Sequence, residues 1–262
     1  MSGELVDRIA IITGPAKGMG AAVSMALARE GADLVLAGRD TEAIEPVASD
    51  IAALGRRALI VRCDVTNPAE VEAMAEEARE FGRGRIEILV NVAGGSGPIE
   101  TPSWKTTPAE FDQIVELNMK GCFLTMQAVL PAMMAQRYGK IVNVGGTFGL
   151  RGRALRMAYS ASKWGLRGIT KSTALEVGPY NINVNTVCPG MVEGPRFDRV
   201  CHENAKRLGI SIEEARRRHA EDYALRRIST GADVANAVVF LVSDRSRQIT
   251  GQDLAVDGGW VI

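Results

Sequence analysis

The chain has 262 residues, a formal net charge of +0 and 46% hydrophobic residues. This length and apolar content suffice for one large α/β domain, and we predict a single domain over residues 1–262. The balanced charge gives no reason to expect nucleic acid or an anionic membrane as a partner, and no apolar run reaches the eighteen residues of a membrane span.

Short β-branched segments alternate with longer segments of helical periodicity. Apolar residues at helical spacing in 21–30 and 68–81 indicate βαβ units. We therefore predict an α/β fold, a doubly wound Rossmann-type parallel sheet of about seven strands with helices on both faces. Its ligand crevice should lie at the carboxyl ends of the strands. The predicted strands are Ile9–Ile12, Leu34–Leu36, Ala58–Val61, Ile88–Val90, Lys140–Val144 and Asn183–Val187.

A glycine-rich turn follows the first predicted strand. Residues 13–20 have the sequence TGPAKGMG and precede the first long helix. Glycines in such a turn allow the backbone to approach a pyrophosphate closely, and the helix N-terminus supplies free N–H groups. The spacing is G-x-x-x-G-x-G rather than G-x-G-x-x-G. The prediction that a dinucleotide binds here therefore depends mainly on the position of the turn between a strand and a helix.

Residues 159–163, YSASK, place a phenol and an ammonium group four residues apart. In a helix, Tyr159 and Lys163 share one face. Free tyrosine has a pKa near ~10 and is a poor acid or base at neutral pH. A cation about 5 Å away, at an effective dielectric near ~20, favours the phenolate by roughly 3 kcal/mol. The pair is thus suited to proton transfer, although the same spacing also occurs in ordinary packed helices.

With these two motifs in order, the chain resembles the short-chain dehydrogenase/reductase family from Arg8 to about Gly259, and within it the members similar to 3-oxoacyl-(acyl carrier protein) reductases. The resemblance implies hydride transfer between a nicotinamide and the carbon of a secondary alcohol or ketone. It assigns proton exchange to Tyr159 and binding of the nicotinamide ribose to Lys163. It also implies that Asn118 helps a water to link Lys163 to solvent.

The same resemblance implies a set of cofactor-binding residues along the edge of the sheet. One of its motifs is altered, because Val92 stands where the family has a second asparagine. Together with Lys17 and Arg39, which are chosen by their charge, the predicted cofactor-binding residues are Gly14, Gly18, Met19, Gly20, Asp64, Val65, Asn91, Ala93, Gly94, Tyr159, Lys163, Pro189, Gly190 and Val192.

The end of the second strand bears on which nicotinamide cofactor binds. Enzymes that use the unphosphorylated form usually place an acid there to accept bonds from the ribose hydroxyls. Here Gly38 stands at that position and Arg39 follows, with Lys17 as a second cation in the glycine turn. Two cations favour a 2′-phosphate, so we predict NADP(H) rather than NAD(H). The neighbouring Asp40 could act as the acid, which leaves an NAD-dependent enzyme as an alternative.

The chain departs from the family at the third catalytic position. The family has a serine about thirteen residues before the tyrosine, and here that position is Gly146, followed by Thr147. Thr147 could act in place of the serine. Alternatively, Tyr159 and Lys163 could work with a water or a backbone N–H, or the protein could bind the cofactor with impaired catalysis. Losing one such hydrogen bond typically costs about 10²–10³ in rate, so an active enzyme remains the leading hypothesis.

Arginines surround the expected substrate cleft and suggest an anionic substrate. Arg151, Arg153 and Arg156 follow the fifth strand, and Arg196 and Arg199 lie in an arginine-rich excursion over about 195–223, which we predict to cover the substrate. Exposed arginines are also common at protein surfaces, so a purely solvated role stays open. An acyl-carrier-protein thioester, docked on a basic surface, is a further alternative.

The four cysteines, Cys63, Cys122, Cys188 and Cys201, are scattered and form no CxxC pair, and neither histidine has a ligand-like spacing to them. We therefore expect reduced cysteines, no metal and a cytoplasmic protein. The resemblance implies a homotetramer formed through the long helices predicted at about 107–136 and 157–178.

Overall fold

The computed structural model describes residues 3–262. The strands are β1 (Ile9–Thr13), β2 (Asp33–Gly38), β3 (Ala58–Arg62), β4 (Ile88–Asn91), β5 (Gly139–Val144), β6 (Ile182–Pro189) and β7 (Asp253–Val256). The α-helices are α1 (Met19–Arg29), α2 (Glu45–Ala53), α3 (Pro68–Phe81), α4 (Pro108–Val115), α5 (Gly121–Gln136), α6 (Met157–Val177), α7 (Pro195–Leu208), α8 (Ile212–Glu221) and α9 (Gly231–Val242).

The strands form one seven-stranded parallel sheet in the order β3-β2-β1-β4-β5-β6-β7, which confirms the predicted fold class. The strand order reverses between β1 and β4. In open α/β sheets, ligands bind in the crevice that opens at such a switch point, beyond the carboxyl ends of the strands. The glycine turn after β1 and the loop after β4 therefore meet at the predicted crevice.

Apolar side chains cover both faces of the sheet. One buried cluster lies beneath α1, α2 and α9, and a second lies beneath α3, α5 and α6. Every residue of β1, β4, β5 and β6 is buried, as expected for central parallel strands covered on both sides. This packing fixes the strand ends, and with them the loops that carry the site.

The helical segment predicted as one element over 107–136 is divided in the structure. A capping box of Thr107 and Glu110 begins α4. The chain then passes through a π-helical turn, Glu116–Lys120, before α5 continues to Gln136. Such turns occur often at functional sites, and this one carries Asn118.

The excursion after β6 forms α7 and α8, which pack on each other around a small apolar cluster of Phe197, Cys201, Ala205 and Ala215. Tyr223, which follows α8, is buried, and its hydroxyl accepts a hydrogen bond from the Met191 N–H at 2.6 Å. The pair of helices is thereby attached at both ends to the carboxyl edge of the sheet.

None of the helices in residues 3–262 is both long and apolar enough to cross a membrane. The four cysteines are buried and free, and burial raises the pKa of the Cys188 thiol to about 11. They therefore pack as small hydrophobic residues. The cytoplasmic location stays a prediction.

Candidate active site

A cavity of about 610 Å³ opens at the carboxyl edge of the sheet, across the switch point. The glycine turn lines one end, the loop after β4 and the start of α6 line the middle, and α7 and α8 line the other end. Its lining therefore runs from the glycine turn, past the start of α6, to α7 and α8.

The glycine turn has the shape of a phosphate cradle. Gly14 and Gly18 adopt positive φ values of 69° and 56°, which favour glycine. A Cβ atom on Gly20 would collide with the carbonyl oxygen of Gly14. No side chain caps the N-terminus of α1, so its first N–H groups are left for a ligand. These features fit a pyrophosphate on the backbone.

Two cations lie at the far end of the cavity from Tyr159. Lys17 is exposed in the glycine turn, and the side chain of Arg39 is 73% exposed after β2. The Arg39 guanidinium lies 3.8 Å from the carboxylate of Asp64, which itself accepts hydrogen bonds from Thr66 that hold its pKa below the usual value. Asp40 uses one carboxylate oxygen to accept a bond from the Ala43 N–H at 3.1 Å.

Tyr159 and Lys163 lie on one face of α6, and both line the cavity. The Lys163 Nζ atom is 5.7 Å from the centre of the Tyr159 ring and donates to the carbonyl oxygen of Val144 at 2.9 Å. Within residues 3–262, Lys163 forms no ion pair and the Tyr159 hydroxyl makes no hydrogen bond, so both are available to a ligand.

Asn118 connects the structural elements on either side of Tyr159 and Lys163. It is completely buried and accepts a bond from the Gly95 N–H at 2.8 Å while donating to Ser162 at 3.1 Å. Ser162 in turn donates to the carbonyl oxygen of Tyr159 at 2.7 Å. Asn118 therefore ties the loop after β4 to the helix that carries the tyrosine, and it does not itself line the cavity.

The position that lacks the serine faces the phenol directly. A Cβ atom on Gly146 would lie 3.4 Å from the Tyr159 hydroxyl oxygen. The backbone of Gly146, at φ 154° and ψ 155°, is one that L-residues rarely adopt. Thr147 is buried, lines the cavity and makes no side-chain hydrogen bond within the described part of the chain.

Three predicted binding residues lie outside the cavity. Asn91 is buried beneath it, donating to Asn143 at 2.9 Å and accepting from Thr125 at 2.8 Å. Arg151 is exposed, and its guanidinium lies 4.9 Å from the Trp260 ring. Of the two arginines predicted from the excursion, Arg196 lines the cavity and Arg199 does not. The other residues predicted for cofactor and substrate line the cavity.

The substrate end contains residues that sequence analysis did not single out. Asn204 of α7 and His219 of α8 line it, with the Asn204 Nδ2 atom 2.8 Å from the His219 Nε2 atom. An amide nitrogen is a donor, so in this contact the imidazole nitrogen is the acceptor. Burial, and secondarily the charge of Arg153, lowers the pKa of His219. No local motif marks either residue, because only the packing of α7 on α8 joins them.

Comparisons with known proteins agree with this geometry. A family model described as enoyl-(acyl carrier protein) reductase matches residues 14–261. The chain is 36% identical to a 3-alpha-(or 20-beta)-hydroxysteroid dehydrogenase of Mycobacterium tuberculosis, covering 100% of this chain and 92% of the relative. It is also 36% identical to a galactitol 2-dehydrogenase of Agrobacterium fabrum, covering 98% of both.

Solved structures of similar proteins include both cofactor types. A variant of actinorhodin polyketide ketoreductase with NADPH is 31% identical, covers 100% of this chain and 99% of its own, and has a TM-score of 0.93. A NAD⁺-bound xylitol dehydrogenase is 28% identical, covers 97% and 99%, and has a TM-score of 0.92.

Proposed function

Because the chain belongs to the short-chain dehydrogenase/reductase family and is an NAD(P)-dependent oxidoreductase of hydroxyl groups, we propose that it transfers a hydride between NADP(H) and a secondary alcohol or ketone. The observation that carries the proposal is the placement of Tyr159 and Lys163 together in the cavity. Within the described residues the Tyr159 hydroxyl makes no hydrogen bond, and Lys163 donates only to the carbonyl oxygen of Val144 and forms no ion pair.

In the direction of reduction, bound NADPH would supply the hydride to the carbonyl carbon. The Tyr159 hydroxyl gives its proton to the carbonyl oxygen, which becomes the alcohol oxygen. Lys163 stabilises the phenolate that remains, because its ammonium group lies within one helical turn. Lys163 also holds the nicotinamide ribose, since only one of its three protons is donated to Val144.

NADP(H) is favoured over NAD(H) by charge. Lys17 and Arg39 provide two cations at the end of the cavity where the adenosine ribose would lie, and Asp40 is partly occupied by the Ala43 N–H. A 2′-phosphate would pair with both cations, whereas a neutral hydroxyl would gain little from them. The Asp64 carboxylate near Arg39 works against this preference without cancelling it, because it faces one of the two cations.

A second candidate function, cofactor binding with impaired catalysis, is supported by Gly146. No hydroxyl at this position faces the phenol oxygen, so the substrate oxygen has one donor fewer than in relatives with serine. Thr147 is the nearest candidate replacement, since it lines the same cavity. The retention of Tyr159 and Lys163 favours the enzyme over the binding protein.

We further propose that α7 and α8 cover an anionic substrate and that the protein is a homotetramer. Arg153 and Arg156 line the substrate end of the cavity and favour a negative group. The outer faces of α5 and α6 expose the large apolar side chains of Phe123, Trp164 and Leu175, which favours contact with further copies of the chain.

The test is NADPH oxidation with a panel of ketones and aldehydes, compared with NADH. We expect turnover with NADPH, and Tyr159→Phe should abolish it because the variant has no proton to give. The fluorescence enhancement of bound NADPH should persist in Tyr159→Phe, since the phenol oxygen contributes little to cofactor affinity. Cofactor binding without turnover of any carbonyl by the unmodified protein would instead establish the second candidate function.

A further inference from the structure

Three arginines from two separate parts of the chain converge on the loop after β4. Arg156, next to the first residue of α6, donates to the carbonyl oxygen of Ser96 at 3.0 Å. Arg196 of α7 donates to the carbonyl oxygen of Gly94 at 3.1 Å. Arg199, one turn further along α7, donates to the hydroxyl of Ser96. Three positive charges therefore meet beside the substrate end of the cavity.

No carboxylate neutralises these arginines within the described part of the chain. Their hydrogen-bond partners are neutral oxygens, and none of the three forms an ion pair. Glu100, an acid in the cavity wall, is paired with Arg207 at 2.9 Å. Glu193 also lines the cavity but is exposed to solvent, which screens its charge.

Arg156 is the buried member of the group. It is 9% exposed, and its Nε atom is buried without a hydrogen-bond partner. Burial is the largest cause that lowers the pKa of this guanidinium, and the charges of Arg196 and Arg199 add to it, while Tyr159 and Glu100 oppose it. A buried cation with an unused donor is costly unless a negative group pairs with it. A ligand is the natural source of that group.

The position of Arg156 relative to the reacting centre limits the size of the ligand. Its guanidinium carbon lies 5.0 Å from the centre of the Tyr159 ring and 5.9 Å from the Phe148 ring. An anion bound to Arg156 therefore lies close to the carbon that exchanges the hydride. A planar guanidinium pairs best with a planar carboxylate through two parallel hydrogen bonds.

We propose that Arg156 binds a carboxylate of the substrate, with Arg196 and Arg199 closing α7 over it, so that the enzyme acts on short hydroxy acids and oxo acids. In such a substrate, roughly one to three carbons separate the carboxylate from the reacting carbon, given hydrogen bonds of ordinary length at both ends. This inference rests on the proposed function. It also accounts for Gly146, because a carboxylate anchored at Arg156 orients the carbonyl without the missing serine hydroxyl.

The experiment compares each oxo acid with its own uncharged ester. Acetoacetate and 4-oxopentanoate are assayed beside their methyl esters at saturating NADPH. We expect kcat/KM to be about 10- to 100-fold higher for the acids, the range of one charge-assisted hydrogen-bonded pair. Arg156→Gln should remove this preference by slowing the acids far more than the esters. Lys206→Gln, an exposed cation on the same helix as Arg196, should keep the preference.

A second variant and a binding measurement test the proposal even if Arg156→Gln does not fold. Arg196 is exposed, so Arg196→Gln should fold, and we expect it to reduce the acid preference several-fold. Succinate, which cannot be reduced, should raise the thermal unfolding midpoint of the NADP⁺ complex, whereas its uncharged diamide should not. This protection should weaken in Arg196→Gln.

Equal rates for acids and esters in the unmodified enzyme would overturn the carboxylate site while leaving the proposed function intact. Equal losses for acids and esters, with weaker NADPH binding in Arg156→Gln or Arg196→Gln, would assign the arginines to the cofactor and also overturn it. Failure of the proposed function has a different signature, namely no oxidation of NADPH by any carbonyl, charged or neutral.

Discussion

Arg39 is placed to recognise a phosphate rather than a hydroxyl. It follows Gly38, where a Cβ atom would press on Ile44, so the chain is closely packed just before the side chain that faces the cavity. The arginine is mostly exposed, and the carboxylate of Asp64 lies 3.8 Å away, so its charge is only partly compensated. A 2′-phosphate would complete the compensation.

Replacing Arg39 with alanine should therefore weaken NADPH binding selectively. We expect the Kd for NADPH to rise about 10-fold, in line with one charge-assisted hydrogen bond, while the Kd for NADH stays the same. Titration of cofactor fluorescence measures both. Arg29→Ala is a matched control, because it removes the same charge at the opposite end of α1, about 16 Å from the cradle.

A preference for NADH would give a different result in the same titrations. If Asp40 binds the ribose hydroxyls, the unmodified enzyme should prefer NADH, and Asp40→Ala should weaken NADH binding while Arg39→Ala leaves it intact. That result would restore the NAD-dependent alternative.

Individual residues differ in how far the sequence could place them. Tyr159 and Lys163 follow from local helix geometry, so their common face was predictable. Asn91 looked like a cofactor ligand from its motif, but its side chain is buried against Asn143 and Thr125. The direction of that side chain depends on neighbouring strands and helices, which a local pattern does not specify.

The turn after β5 has a backbone conformation that favours a residue without a Cβ atom at position 146. Gly146 is extended with a positive φ, and the next three residues, Thr147–Gly149, form a short 3₁₀ turn that packs against α6. Introducing the family serine at 146 would strain this backbone. The turn therefore has its own conformation, in which Thr147 is the hydroxyl-bearing residue of the cavity wall.

If Thr147 holds the substrate oxygen, removing its hydroxyl should slow the chemical step. We expect Thr147→Val, which keeps the shape, to lower kcat about 10-fold or more, because a donor to the developing alkoxide is lost. Thr147→Ser should retain most of the rate, and NADPH affinity should be unchanged in both. Single-turnover measurements isolate the step. An unchanged rate in Thr147→Val would dismiss this role and leave orientation of the carbonyl to other groups.

The sequence pattern did not predict the π-helical turn between α4 and α5. The sequence is rich in apolar residues over much of 107–136 and predicts one long helix there. Asn118 lies in the middle of this turn, and its side-chain amide bridges Gly95 and Ser162. Tertiary hydrogen bonds of this kind stabilise a local irregularity that costs the isolated helix stability.

The parallel sheet and its crevice were predictable because strand and helix alternation constrains topology strongly. The shape of the substrate end was not. It depends on where α7 returns over the loop after β4, and this brings Arg196 and Arg199 to Gly94 and Ser96. These contacts span more than a hundred residues of chain and have no local signature.

The proposed assembly of four copies can be tested from the outer face of α6. Trp164 and Leu175 lie about three turns apart on one side of this helix, and Leu175 is 83% exposed. Burying such a leucine in an interface contributes about 2 kcal/mol to the stability of the assembly, whereas a lysine at this position would have to be buried as a charge.

Light scattering should give a mass about four times the 28.1 kDa of the chain, and Leu175→Lys should reduce it to a smaller species. Leu54→Lys, an exposed leucine at the end of α2, should leave the mass unchanged, and a monomeric unmodified protein would contradict the assembly.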